Sequence, residues 1–173
     1  MKKLFLFLFL LPFTSALSAQ GSVRTTFNKS YDRWDVKVGG SSGTISSTFS
    51  GNATRWDISM GDVSGTISAT FSGSYSRWDV NVGGKNYTLT QTFSDGNRWE
   101  LSGGDLKSAV VIATTFNNDF SRWDMNGVKI SSTFSDSYDS WDISGNTDNL
   151  TAGEKAVAAF IPVMVGNGII KKQ

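Results

Sequence analysis

"TISSTFSGNATRWDISM", residues 44–60, and "TISATFSGSYSRWDVNV", residues 66–82, decide the fold. Both read hydroxyl, apolar, hydroxyl, small, Thr, Phe, a short polar link, then Arg, Trp, Asp, aliphatic. Six units carry this pattern, with Phe at 27, 49, 71, 93, 116 and 134 and Trp at 34, 56, 78, 99, 123 and 141. Within each unit apolar and polar residues alternate with period two, which is the signature of strands with one buried face. In the first unit Val23, Thr25 and Phe27 share one face, as do Trp34, Val36 and Val38; Arg33, Asp35 and Lys37 take the other. Gly, Asn, Ser and Asp punctuate the runs, so each unit reads as strand, turn, strand.

Pairing Phe27 with Trp34, and Trp34 in turn with Phe49, carries one register across the whole chain and sets Phe and Trp side by side on one inner belt. A one-residue slip would turn every apolar side chain to solvent, so the face is strongly specified. Two junctions are irregular. "DGN" at 95–97 reads as a three-residue turn with Gly96 at positive φ. Between units five and six, Asn126-Gly127 signals a two-residue turn pairing Trp123 with Ile130, whereas an unbroken aromatic row needs Trp123 against Phe134; both registers stay open.

Twelve aromatic side chains at ~150–250 Å² each are too much apolar area to leave wet on a flat sheet. The expected fold is therefore all-β: an antiparallel meander of six hairpins, about twelve strands, curled into a barrel or a folded-over sandwich. After Gly145 the repeat stops, and Thr151 and Glu154 stand at capping-box spacing before an Ala-rich apolar run. A helix is expected over about 152–161, ended or kinked near Pro162, packed on or in the sheet. The alternative is a β-solenoid of ~22-residue rungs, in the manner of curli-like functional amyloids. Stacked rungs would set Arg33, Arg55, Arg77, Arg98 and Arg122 directly over one another, and like charges so placed repel. The Gln and Asn ladders of the curli type are also missing, so the meander is preferred.

Residues 1–20 stand apart. "MKK", then "LFLFLFLLPF", then small residues up to Ala19 and Gln20 read as a secretory signal peptide. The expected organisation is a leader over 1–20, the repeat domain over 21–146, and a helix and tail over 147–173. Removing Lys2 and Lys3 with the leader takes the net charge from +1 to −1. A near-neutral chain with no basic block lacks the footprint of a nucleic-acid binder. The absence of cysteine leaves stability to packing and suits an exported bacterial envelope or secreted protein. No membrane span is expected once the leader is gone.

Catalytic inventory is thin. With neither His nor Cys, the His-based and Cys-based nucleophile and metal arrangements are excluded. Paired carboxylates such as Asp32 and Asp35, or Asp136, Asp139 and Asp142, sit on links and on the polar face. No enzyme, metal or cofactor is expected. The recurrent Arg-Trp-Asp element places Arg and acid two apart on the polar face, as a surface ion pair would. The links are the better binding candidates, because in a meander all six fall at one rim. Tyr31, Tyr75, Phe120 and Tyr138 occupy matching link positions, with Asn118, Asp119 and Asp139 beside them. Aromatic faces flanked by amides and carboxylates suit a glycan or cell-surface polymer, and this is the expected partner. A second expectation, of another class, is a cell-surface assembly protein that self-associates through strand edges or stacked repeats.

Overall fold

A computed structural model describes residues 21–28, 30–135 and 137–170; the leader read over 1–20 and the last three residues lie outside the described residues. The chain forms β1 (Gly21–Phe27), β2 (Ser30–Val38), β3 (Ser41–Ser47), β4 (Arg55–Met60), β5 (Val63–Phe71) and β6 (Ser74–Val82). It continues through β7 (Lys85–Gln91), β8 (Arg98–Gly103), β9 (Val110–Thr114), β10 (Arg122–Met125), β11 (Val128–Phe134) and β12 (Ser137–Ser144) to one helix, α1 (Ala152–Gly166). Each strand pairs antiparallel with the next, and β1 pairs with β12, so the meander closes into a twelve-stranded barrel. Closure settles the architecture as a barrel rather than a sandwich, and it excludes the stacked solenoid.

Apart from the Phe row, the inner face is the expected one, but the register is not. Trp34 pairs with Thr25 and Ile45, where the sequence reading paired it with Phe27 and Phe49. The same holds throughout: Trp56 stands between Ser47 and Ile67, and Trp78 between Ala69 and Leu89. The cause lies in the turns between units. Val38 pairs with Ser41 across Gly39-Gly40, whose φ values of +53° and +75° make the two-residue turn that matches strand twist. Asn126-Gly127 does the same and pairs Trp123 with Ile130, which resolves the open junction. Gly96, at φ +77°, turns as expected.

Within units the pairing is interrupted beyond the Trp. In β1–β2, β5–β6 and β11–β12 a bulge follows Thr25, Ala69 and Ser132, after which Phe27, Phe71 and Phe134 face Ser30, Ser74 and Ser137. The extra residues lie on the second strand, where the chain folds back over the Trp. All six Trp are buried, whereas all six repeat Phe are exposed, at 56–62 %. The expected belt of alternating Phe and Trp is thus corrected: each Trp has a larger aliphatic residue on one side and a Thr, Ser, Ala or Gln on the other, and Phe lies outside.

An eight-stranded barrel is just filled by its own side chains; twelve strands leave a wider lumen. Here α1 occupies it, touching β1, β2, β5, β6, β7, β8, β11 and β12. A helix apolar on every side is stable only when surrounded, and Ala156 through Met164 are buried without a gap. Phe160 sits edge-on between Trp56 and Trp78, with ring centroids 6.1 and 5.0 Å away. The capping box forms as read: Glu154 N–H donates to Thr151 Oγ1, and Thr151 N–H to Glu154 Oε2. The helix continues past Pro162 to Gly166, four residues beyond 162. A mid-helix proline forfeits one backbone bond, which the surrounding barrel packing offsets. Where the helix enters, Tyr87 lies over Gly104 and Gly153; a Cβ at those glycines would come within 2.1 and 2.6 Å of the ring. Tyr87 Oη donates to Asp105 Oδ1 at 2.6 Å.

Candidate functional site

The other pole, where α1 ends and the six intra-unit links gather, is the mouth of the barrel. One local device builds it six times. Each Trp indole N–H donates to the backbone carbonyl three residues earlier, at 2.8–3.0 Å: Tyr31, Ala53, Tyr75, Gly96, Phe120 and Tyr138. A buried indole N–H needs such a partner. The bond curls the link over the Trp, so the residue three before it, not the repeat Phe, lies next to the Trp at the mouth.

Where that residue is aromatic it packs on the Trp. Tyr75 stacks on Trp78 and Tyr138 on Trp141, each with ring centroids 5.8 Å apart; Tyr31 and Phe120 tilt against Trp34 and Trp123. The four expected aromatics therefore share one role but not one exposure. Tyr75 and Tyr138 are each 37 % exposed, Tyr31 is half-buried, and Phe120 is buried. Tyr31 also anchors the helix, because Asn167 Nδ2 donates to its carbonyl at 3.1 Å.

Two cavities flank Ile170, which follows the helix into the mouth. One, of about 530 Å³, is lined by Tyr75 with Ser74, Ser76, Gln91 and Ser94, floored by Trp99 and Ile169. The other, of about 520 Å³, brings together Asn118, Asp119, Phe120 and Tyr138 against Val165 and Gly166. Of the seven expected site residues, five line a cavity; Tyr31 and Asp139 line neither.

A network that sequence reading missed holds the second cavity in shape. Asn97, almost wholly buried, donates to Asn117 Oδ1 at 2.8 Å and accepts from Thr114 Oγ1 at 3.1 Å and Asn118 N–H at 2.9 Å. It ties link four to link five and holds Asn118 at φ +60°. Its only trace in sequence is an Asn where the other units place Ser, Thr or Asp before the Arg or its Ser140 counterpart. Asp119 accepts from the Ser121 hydroxyl and, at 3.0 Å, from its N–H. The Ser121 hydroxyl, above all, holds its carboxyl below the ordinary range, with Arg122 contributing through space. Asp95 is likewise lowered by bonds from Asn97. Asp139 accepts from the Ser137 hydroxyl. The C-terminal end of α1 adds its partial negative charge at the same pole.

The mouth therefore offers ionised acceptors, amides, hydroxyls and partly exposed aromatic faces. Among the described residues, no cluster of His, Cys, Asp and Glu has the makings of a metal site. Comparison of the chain with protein-family models, curated proteins and solved structures finds no match.

Proposed function

We propose that this is an exported, non-enzymatic binding module that takes a glycan or similar cell-surface polymer at the mouth of the barrel. The observation that carries the reading is the pair of cavities beside Ile170, each combining a Tyr 37 % exposed with polar side chains. A sugar ring needs such a platform for its C–H face and acceptors for its hydroxyls, and both come from links held by a rigid wall. Closure of the barrel supports this reading over self-assembly, since β1 and β12 pair and leave no strand edge to template another chain. The outer wall carries charge at Arg33, Lys37, Arg55 and Asp57 while the lumen is apolar. That arrangement is the reverse of a membrane-spanning barrel, and no described helix is long and apolar enough to cross a membrane.

The test is a panel of soluble bacterial and plant oligosaccharides against the full chain and a Tyr75→Ala/Tyr138→Ala variant. Binding by the parent that drops at least about tenfold in the variant supports the mouth as the site. Undiminished binding by a folded variant removes the mouth from consideration.

A further inference from the structure

The six repeat Phe side chains lie outside the buried core. None belongs to the core cluster, none lines a mouth cavity, and no ring partner is found for any of them among the described residues. Their exposures are nearly equal, which is unlike a scatter of surface hydrophobes. Five units also present an exposed Arg on the neighbouring strand: Arg33, Arg55, Arg77, Arg98 and Arg122. The ladder puts the residue before the Phe opposite the Arg of the same unit, so exposed Phe and Arg stand one rung apart. Thr48 N–H bonds to Arg55 O, Thr92 N–H to Arg98 O and Thr115 N–H to Arg122 O, and in each case the Phe is the next residue.

The expected ion pairs of the Arg-Trp-Asp elements do not form. Among the described residues the single ion pair is Lys129 with Asp124. Of the acids two residues beyond each Arg, Asp57 lies between Ser46 and Thr66 and Asp79 between Ser68 and Thr88, whereas Asp35 opposes Thr44 and Arg24 and Asp124 opposes Lys129. The Arg122 guanidinium acts on the Asp119 carboxylate only through space. The wall below the mouth is thus ringed by Phe–Arg pairs, recurring every second strand, or about 10 Å across the sheet.

We infer that this outer belt binds an anionic polysaccharide strand, the C–H faces of its sugars on Phe and its carboxylate or sulfate groups on the guanidiniums. The inference rests on the glycan reading above and narrows it to an acidic polymer. The guanidinium fork matches a carboxylate or sulfate in two parallel bonds. Each exposed pair contributes little alone, so useful affinity requires a chain long enough to engage consecutive units at once. A second copy fits poorly, because it would bring an identical ring of arginines against this one. A bilayer also fits poorly, because the ionised Asp95 and Asp119 on the link tips would have to enter it with the Phe residues.

The experiment measures binding of the full chain to polygalacturonate, to uncharged dextran and to phosphatidylglycerol vesicles at low and high salt. The variants are Arg55→Gln/Arg77→Gln and Phe49→Ser/Phe71→Ser, checked for folding by tryptophan fluorescence. The expected result is binding to polygalacturonate but not to dextran or vesicles, weakened by salt and by chain shortening. Each double variant should lose about fivefold to tenfold in affinity. Equal affinity for dextran and polygalacturonate, binding to vesicles alone, or undiminished binding by both folded variants overturns the acidic-polymer inference and leaves the mouth reading standing. Binding to no polysaccharide, in this test or in the oligosaccharide panel, overturns the glycan reading itself.

Discussion

Replacing Phe71 and Phe160 by Ala, one at a time, separates the two registers this sequence allows. Phe71 belongs to the row that hydrophobic alternation puts on the inner belt; Phe160 lies on α1. Phe160 is fully buried between Trp56 and Trp78. Truncating such a ring removes its transfer free energy and leaves a cavity that a closed barrel cannot collapse, at a cost of about 3–5 kcal/mol. Phe71 is 56 % exposed, so under half its surface is sheltered. For a side chain of ~200 Å², that is roughly 90 Å², or about 2 kcal/mol at ~25 cal/mol/Å² as an upper bound. Six buried tryptophans report unfolding directly, so urea titration followed by fluorescence measures both variants against the parent. The expected order is a large loss for Phe160→Ala and at most about 2 kcal/mol for Phe71→Ala. A Phe71→Ala loss equal to that of Phe160→Ala would mean that the Phe row is core, and would refute the register described above.

Three further outcomes follow from single side chains. Burial above all, then the bond to Asp105, pushes the Tyr87 phenol up to about 12 from 10.0. Because the folded state holds this proton more tightly, stability is intact below pH 10, falls between pH 10 and about 12, and loses this phase in Tyr87→Phe; denaturation midpoints across that range check it. The hydroxyls of Thr26, Thr48 and Thr70 are buried without a hydrogen-bond partner among the described residues, so Thr48→Val should be neutral or stabilising by up to about 1 kcal/mol. Thr151→Val, which breaks the capping box, should cost about 1 kcal/mol in the same titration.

Which face of each strand is buried was legible residue by residue. Trp34, Val36 and Val38 point inward and Arg33 and Lys37 outward because side chains alternate strictly along a strand. The same parity could not fix which residues stand opposite one another. Sliding a strand by two or four residues keeps every inward side chain inward, so pairings of Trp34 with Ile45 and with Phe49 satisfy the pattern equally. The deciding signal was present in the two-residue turns Gly39-Gly40, Gly61-Asp62 and Gly83-Gly84, which close the hairpins tightly. Of the site, the link aromatics were readable from their matched spacing, whereas Asn97 was not. Its partners Thr114, Asn117 and Asn118 lie 17–21 residues away.

By itself the sequence determined the repeat, the strand character, the inner face, the need for closure and the helix that follows, because each depends on local spacing and on the quantity of apolar surface. Only the tertiary structure decided that the helix fills the lumen, that the Phe row lies outside and that two cavities open beside Ile170. Those outcomes depend on packing between elements far apart in the chain: the helix fills the space between the tryptophans, and at the mouth the link aromatics Tyr31, Tyr75, Phe120 and Tyr138, not the repeat Phe residues, lie on the Trp rings.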